Sequence, residues 1–182
     1  MNLWLRLLWL VATAWRRPRL ELPFATSTLT FRVWPHDVDT SLHMNNGRYW
    51  TLMDLGRTDL MIRSGLWRPV IKERWTPVVT AAQIRFRREV KPFQAFRLET
   101  RLLSWDETRF VIEHRVLLGH TDRIAAIALV QAGLYDRRGR SFVPVQTLMQ
   151  AVDVEAASPP MTPEIEAFLG AENALRRATA ST

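Results

Sequence analysis

The sequence predicts an α+β domain: a long helix wrapped by a five- or six-stranded antiparallel sheet, with an extra N-terminal helix and short C-terminal helices. Three observations predict it. An early strand is followed by one long amphipathic helical stretch, and four segments with period-two alternation come after that helix. One helix cannot cover both faces of such a sheet, so the sheet must curl around it. The leftover sheet edge would most simply pair with a second copy, as a homodimer or a dimer of dimers.

"MNLWLRLLWLVATAW" is apolar apart from Asn2, Arg6 and Thr13, and "RRPRL" follows it. As a helix its 15 residues would span about 22 Å, against about 30 Å for a bilayer's hydrocarbon core. Ala12-Thr13-Ala14 has the form of a signal-peptide cleavage site. However, the apolar run after Arg6 is short, and Leu3, Trp4 and Leu5 stand where charge is expected. Two readings stand: an interfacial helix with tryptophans and flanking arginines, or a helix packed on the protein's own domain. On the interfacial reading, residues 1–19 hold a membrane surface and are dispensable for chemistry. Residues 20–150 form the domain, and 151–182 form a linker and short helix.

"STLTFRVW", Ser27 to Trp34, reads as a strand closed by Pro35. Asn46 to Ser64 reads as the long helix. Tyr49, Leu52, Met53, Gly56 and Leu60 share one face, and Gly65 is a stop signal. Gly56 on that face permits close approach to a sheet. Asp54–Arg57 and Asp59–Arg63 have the spacing to pair along the helix. "VTAAQIRFRREV", "FRLETRLLSW", "RFVIEHRVLL" and "DRIAAIALVQAGLY" are the later strands, each ended by a turn signal. Arg137, Arg138, Gly139 and Arg140 suit a hairpin tip. "PVQTLMQAV" suits a short helix, and Pro163 suits the first turn of a small terminal one.

With 47% hydrophobic residues in 182, the chain can bury a real core. The absence of cysteine excludes disulfides, thiolate metal sites and a cysteine nucleophile. The net charge of +7 suits anionic partners, but no motif accompanies it to indicate nucleic acid, and none is expected. The histidines His36, His43, His114 and His120 show no metal-ligand spacing, so no metal is expected.

The chemistry concentrates in "DVDTSLHMNNGRYW", Asp37 to Trp50. A helix start presents unpaired N–H groups and partial positive charge, with Asn45 or Asn46 as its cap. Such donors can polarise a carbonyl and stabilise an oxyanion. A carboxylate just upstream can act on the polarised carbon or on a water beside it. Asp39 and His43 are placed for that role. As ordinary structure, the same stretch is a capped loop with Asp37 and Asp39 as turn residues. Asp54 is the rival carboxylate, about 12 Å further along the helix axis, and reads as a surface or dimer-contact residue.

"DVDTSLHMNNGRY" resembles the Asp-x-Asp-x-x-Gly-His-Val-Asn-Asn-x-x-Tyr motif of hotdog-fold acyl-CoA thioesterases, and the related motif of plant acyl-acyl carrier protein thioesterases. "FRVWPHDVDTSLHMNNGRYWTLMDLGR" is most similar to the thioesterase superfamily member 6 group. The resemblance implies a hotdog fold, two sites at a dimer interface, and hydrolysis of an acyl-CoA or acyl carrier protein thioester. No cofactor is expected beyond the coenzyme A of the substrate. In the 4-hydroxybenzoyl-CoA thioesterase branch, the catalytic carboxylate corresponds to Asp39 and the carbonyl-binding N–H to Asn46. In the plant branch, the catalytic Asp, Asn and His correspond to Asp39, Ser41 and His43. Ser41 departs from the plant Asn, and Leu42 stands where many relatives have Gly.

The expected roles are Asp39 as nucleophile or general base, His43 orienting it or the water, Asn46 N–H polarising the carbonyl, and Asn45 bracing the loop. Tyr49, Leu52 and Met53 are candidates for an acyl channel, with ordinary core favoured for the last two. Arg85, Arg87, Arg88 and Lys91 are candidates for the coenzyme A phosphates, although alternating arginines usually form a solvated face. The alternative is a catalytically silent, membrane-associated acyl-binding or scaffold protein of the same fold. A dehydratase of this fold would need a paired His and Asp, and the Asn-Asn helix start argues against it. A cytoplasmic location with peripheral membrane contact is expected.

Overall fold

The computed structural model describes residues 3–180. Met1 and Asn2 of the N-terminal segment, and Ser181 and Thr182 of the C-terminal one, lie outside the described residues. In chain order the elements are α1 (Leu3–Ala14), β1 (Thr26–Arg32), a 3-10 turn (Pro35–Asp37), α2 (Asn46–Arg63), α3 (Trp67–Glu73), β2 (Thr76–Phe86), β3 (Ala95–Trp105), β4 (Phe110–Leu118), β5 (Ile124–Asp136), β6 (Ser141–Phe142), α4 (Val145–Gln150) and α5 (Pro163–Ala180).

The strands form one antiparallel six-stranded sheet in the order β1-β3-β4-β5-β2, with β6 added to β5. This is the arrangement that the motif's resemblance implies. α2 lies against the sheet and buries Tyr49, Leu52, Met53, Leu55 and Leu60. The first four meet Leu29, Phe96, Leu98, Val116 and Ala126 of four strands. Gly56 makes the approach possible: a Cβ there would sit 2.3 Å from Thr100 Oγ1. A second apolar cluster joins α3 and α4 to the far end of the sheet through Val70, Leu102, Phe110 and Leu148. Ile165 and Phe168 of α5 seat on Val111 of β4 as a third.

Three elements differ from expectation. α3 was not expected. β2 begins at Thr76, earlier than the alternation suggests, because Pro77 sits near the start of an edge strand, where a missing N–H costs little. The terminal helix is 18 residues long rather than small. β2 is the open edge of the sheet beyond β5, and its Val79 and Phe86 are exposed.

α1 is pinned to the domain by one buried ion pair and one part-buried one. Arg6 Nη2 lies 2.6 Å from Asp37 Oδ2, with both side chains buried. Just past the helix, Arg17 pairs with Asp59 of α2, which also accepts from Ser27 Oγ at 2.6 Å and pairs with Arg63 at 3.2 Å.

Candidate active site

The loop before α2 is built by its backbone. Pro35 starts the 3-10 turn, and the Asp37 carboxylate accepts the Trp34 N–H at 3.0 Å. Val38 and Met44 form an isolated bridge. Between them Asp39 N–H donates to His43 O at 3.2 Å, and Leu42 N–H donates to Asp39 O at 3.1 Å. This tight return puts Leu42 at φ 58, in the left-handed region. A leucine there is strained, and its side chain is exposed. Met44 N–H then reaches Val90 O at 2.9 Å, and Asn45 N–H reaches Asp37 O at 2.9 Å.

Asn45 is the N-cap of α2, its Oδ1 accepting the Gly47 N–H at 2.8 Å. The helix therefore begins at Asn46, an exposed residue whose N–H meets no acceptor among the described residues.

The structure brings Asp39, His43, Asn45 and Asn46 together at this helix start. Asp39 Oδ1 accepts the Ser41 N–H at 2.9 Å and lies 3.9 Å from His43 Nδ1. Its Oδ2 lies 3.5 Å from Asn45 Nδ2. The Asp39 side chain is 25% exposed, so solvent or a ligand reaches it.

Asp37 sits two residues away and faces inward, only 1% exposed. It takes Arg6 at 2.6 Å, and Arg48 Nη2 and Nε at 2.9 and 3.0 Å. Burial opposes its ionisation, but the Trp34 N–H and the Arg6 guanidinium outweigh that and hold its carboxyl below the ordinary value. Asp37 is thus the loop's anchor. The sequence signal for it was Arg6, the one charge in the apolar helical run Leu3–Ala14.

Arg85, Arg87 and Arg88 are exposed at the end of β2. That end lies beside the helix start: Phe86 stacks edge-on against Tyr49 at 5.0 Å, and Val90 O holds Met44. Tyr49, with Leu52 and Met53, is buried in the core. Burial raises the Tyr49 phenol to about 12.

An apolar cavity lies further along α2. Its volume is about 370 Å³, and it is lined by Thr58, Met61, Val78, Leu102, Phe110 and Leu148, with Asp54 and Arg57 also on its wall. Arg57 pairs with the exposed Asp54 and places Nη1 3.0 Å from His114 Nε2. A guanidinium can only donate, so Nε2 accepts. Nδ1 then carries the proton and donates to Thr100 Oγ1 at 2.9 Å. Burial, then the Arg57 charge, push the His114 pKa well below its usual value, so this imidazole stays neutral. The sequence gives no signal for this chain of contacts, because Arg57, Thr100 and His114 are far apart along the chain. Among the described residues, no cluster of His, Cys, Asp and Glu could hold a metal ion.

A carboxylate beside the unclaimed N–H of a capped helix, on a helix wrapped by an antiparallel sheet, defines a class of protein. Residues 33–169 match the family described as the Thioesterase-like superfamily, and the chain belongs to it. Among known relatives, Protein THEM6 of Xenopus laevis is 35% identical over 97 residues, which is 53% of this chain and 47% of that protein. Protein THEM6 of Danio rerio is 34% identical over 125 residues, 69% of this chain and 62% of that one. The matches thus span roughly half to three fifths of these relatives' own length. Among solved structures, YbaW, a probable thioesterase from Escherichia coli, has a TM-score of 0.64 at 17% identity, over 69% of this chain and 94% of that one. At that identity the likeness is one of fold, and the fold is the hotdog.

Proposed function

We propose that the protein hydrolyses an acyl-CoA or acyl carrier protein thioester to the free acid and thiol, without a metal. The observation that carries this reading is Asp39, a quarter exposed to solvent and 3.5 Å from Asn45 Nδ2, beside the unclaimed N–H of Asn46. The thioester carbonyl oxygen accepts the Asn46 N–H, where helix-start charge stabilises the oxyanion. Asp39 then either takes a proton from water that attacks the carbon, or attacks it to form an anhydride that water cleaves. Either way the C–S bond breaks and the thiolate leaves, to be protonated from solvent. His43 orients Asp39 or the water, and Asn45 holds the helix start and the loop in one geometry.

The exposed Arg85, Arg87 and Arg88 meet the phosphates of the carrier. Tyr49, with Leu52 and Met53, supports the helix start from the core. The acyl chain enters the cavity between α2 and the sheet, whose wall is mostly apolar.

The protein works as a homodimer through β2. An antiparallel β2–β2 ladder that continues the sheet has its two-fold axis perpendicular to the sheet. The two α2 helices then lie on the same side and run antiparallel. This sets the cavity half of one α2 towards the helix start of the other. Purified full-length protein, offered acyl-CoAs of graded chain length with free thiol followed by absorbance, tests the reading. Turnover that rises with chain length to an optimum is expected. No thiol release from any acyl-CoA or acyl carrier protein substrate sinks it.

A further inference from the structure

α1 is apolar on both faces: Leu3, Leu7 and Leu10 pack inward on the core, yet its outward face is apolar too. Its one charge, Arg6, is turned inward and buried at 5% exposure. Its outward face carries Trp4, Leu5, Leu8, Trp9 and Val11, with Trp15 just beyond the helix. Trp4, Leu8, Trp9 and Trp15 are 68, 64, 60 and 72% exposed. A helix stabilised only by its domain would show polar groups there.

Arginines cluster at the end of this face. Arg16, packed over Trp15 at 4.9 Å, and Arg19 are exposed at its end. The groove between the end of α1 and α3 adds Trp67, Ile71 and Arg68, with Arg68 lying 5.9 Å from the Trp67 ring. No acidic side chain among the described residues lines that groove. α1 is 12 residues, about 18 Å, and no helix among the described residues is long and apolar enough to cross a membrane. Tryptophans flanked by arginines on a short helix match the boundary between headgroups and acyl chains, where indoles settle and guanidinium groups meet phosphate.

We infer that the outward face of α1 and the α1–α3 groove dock the protein on an anionic lipid surface, with α1 lying in the plane of the membrane. The reading is independent of turnover. The Arg6–Asp37 pair ties the docked helix to the loop before α2 and the Arg17–Asp59 pair ties it to α2, so the catalytic loop takes a fixed position relative to the lipid.

Sedimentation of the full-length protein with extruded vesicles tests it, using phosphatidylcholine alone or with a third phosphatidylglycerol. The protein should pellet with the anionic vesicles and stay in the supernatant with neutral ones. The combined variant Trp4→Gln, Leu8→Gln, Trp9→Gln should weaken binding at least about tenfold with its melting temperature kept. Arg16→Gln with Arg19→Gln should weaken it about fivefold per arginine. Three results overturn the inference: wild-type protein that ignores anionic vesicles, equal binding to neutral ones, or a triple variant that still pellets. Light scattering in which the triple variant falls to a smaller oligomer, with no vesicle binding by the wild type, assigns the face to a second copy instead.

Discussion

The inner and outer faces of the loop before α2 carry one aspartate each, and the two live in opposite surroundings. Asp37 points inward, its carboxylate taken up by Arg6, Arg48 and the Trp34 N–H. Asp39 points outward, with one firm backbone partner at Ser41 and two looser neighbours, His43 and Asn45. A carboxylate whose partners are saturated and buried fixes geometry. A carboxylate with spare lone pairs, beside an unfilled helix donor, is available for chemistry. The D-x-D pattern looks symmetric in sequence, and the fold makes its halves unequal by alternating their direction.

The largest effect on stability should come from the inner face. Asp37→Ala leaves buried Arg6 without its carboxylate, which typically costs about 3–5 kcal/mol. Urea unfolding should show that loss, and activity should fall with it because the loop is released. Arg6→Ala should cost less, since Arg48 still serves Asp37. Removal of residues 1–19 should likewise disturb the loop, in place of the expectation that this segment is separable from the chemistry. A variant starting at Leu20 with wild-type stability and turnover would break the comparison.

Acid sensitivity should divide between two groups. His114 stays neutral when folded, whereas the unfolded chain binds a proton there below about pH 6.5. The unfolded state then holds more protons, so stability falls as pH drops through that value, by at most about 1.4 kcal/mol per pH unit. Asp37 is shifted in the same direction but titrates in a lower pH window. Its folded pKa is depressed, so its stabilisation is complete above about pH 4 and is lost as pH falls through the folded value. Melting temperatures from pH 8 to 3 should show the first limb vanish in His114→Gln and the second in Asp37→Asn.

A smaller effect is expected from Asp54→Asn. Within one chain Asp54 stands about 12 Å along the axis from Asn46, too far to touch the same carbonyl. Turnover should change by less than about fivefold, well short of the loss expected for a general base. A larger loss would point to Asp54 of the second protomer, which an antiparallel pair of α2 helices brings toward Asn46.

The smallest effect should be at Leu42. Leu42→Gly relieves the left-handed strain but frees the unfolded chain, and the two nearly cancel. A change within about 1 kcal/mol is expected in the melting curve.

The wrapped-helix fold was legible because alternation in four strands and the face from Tyr49 to Leu60 are local patterns. So was the cluster at the helix start, because Asp39, His43, Asn45 and Asn46 are neighbours in the chain. What was not legible depends on distant partners. Asp37 is set apart from Asp39 by Arg6, 31 residues earlier. α3 is seven residues, with Pro69 inside it and Val70 its one buried residue, too short to show a period. The cavity is a gap left by packing, so no residue in the sequence announces it.

The central claim is that Asp39, and not its buried neighbour, does the chemistry. Thiol release by Asp39→Asn, measured beside wild type at saturating acyl-CoA, tests it most directly, with a melting curve run on each protein. A fall of about 10²–10⁴-fold in kcat at an unchanged melting temperature is predicted. Near-wild-type turnover in a folded Asp39→Asn protein would contradict the claim.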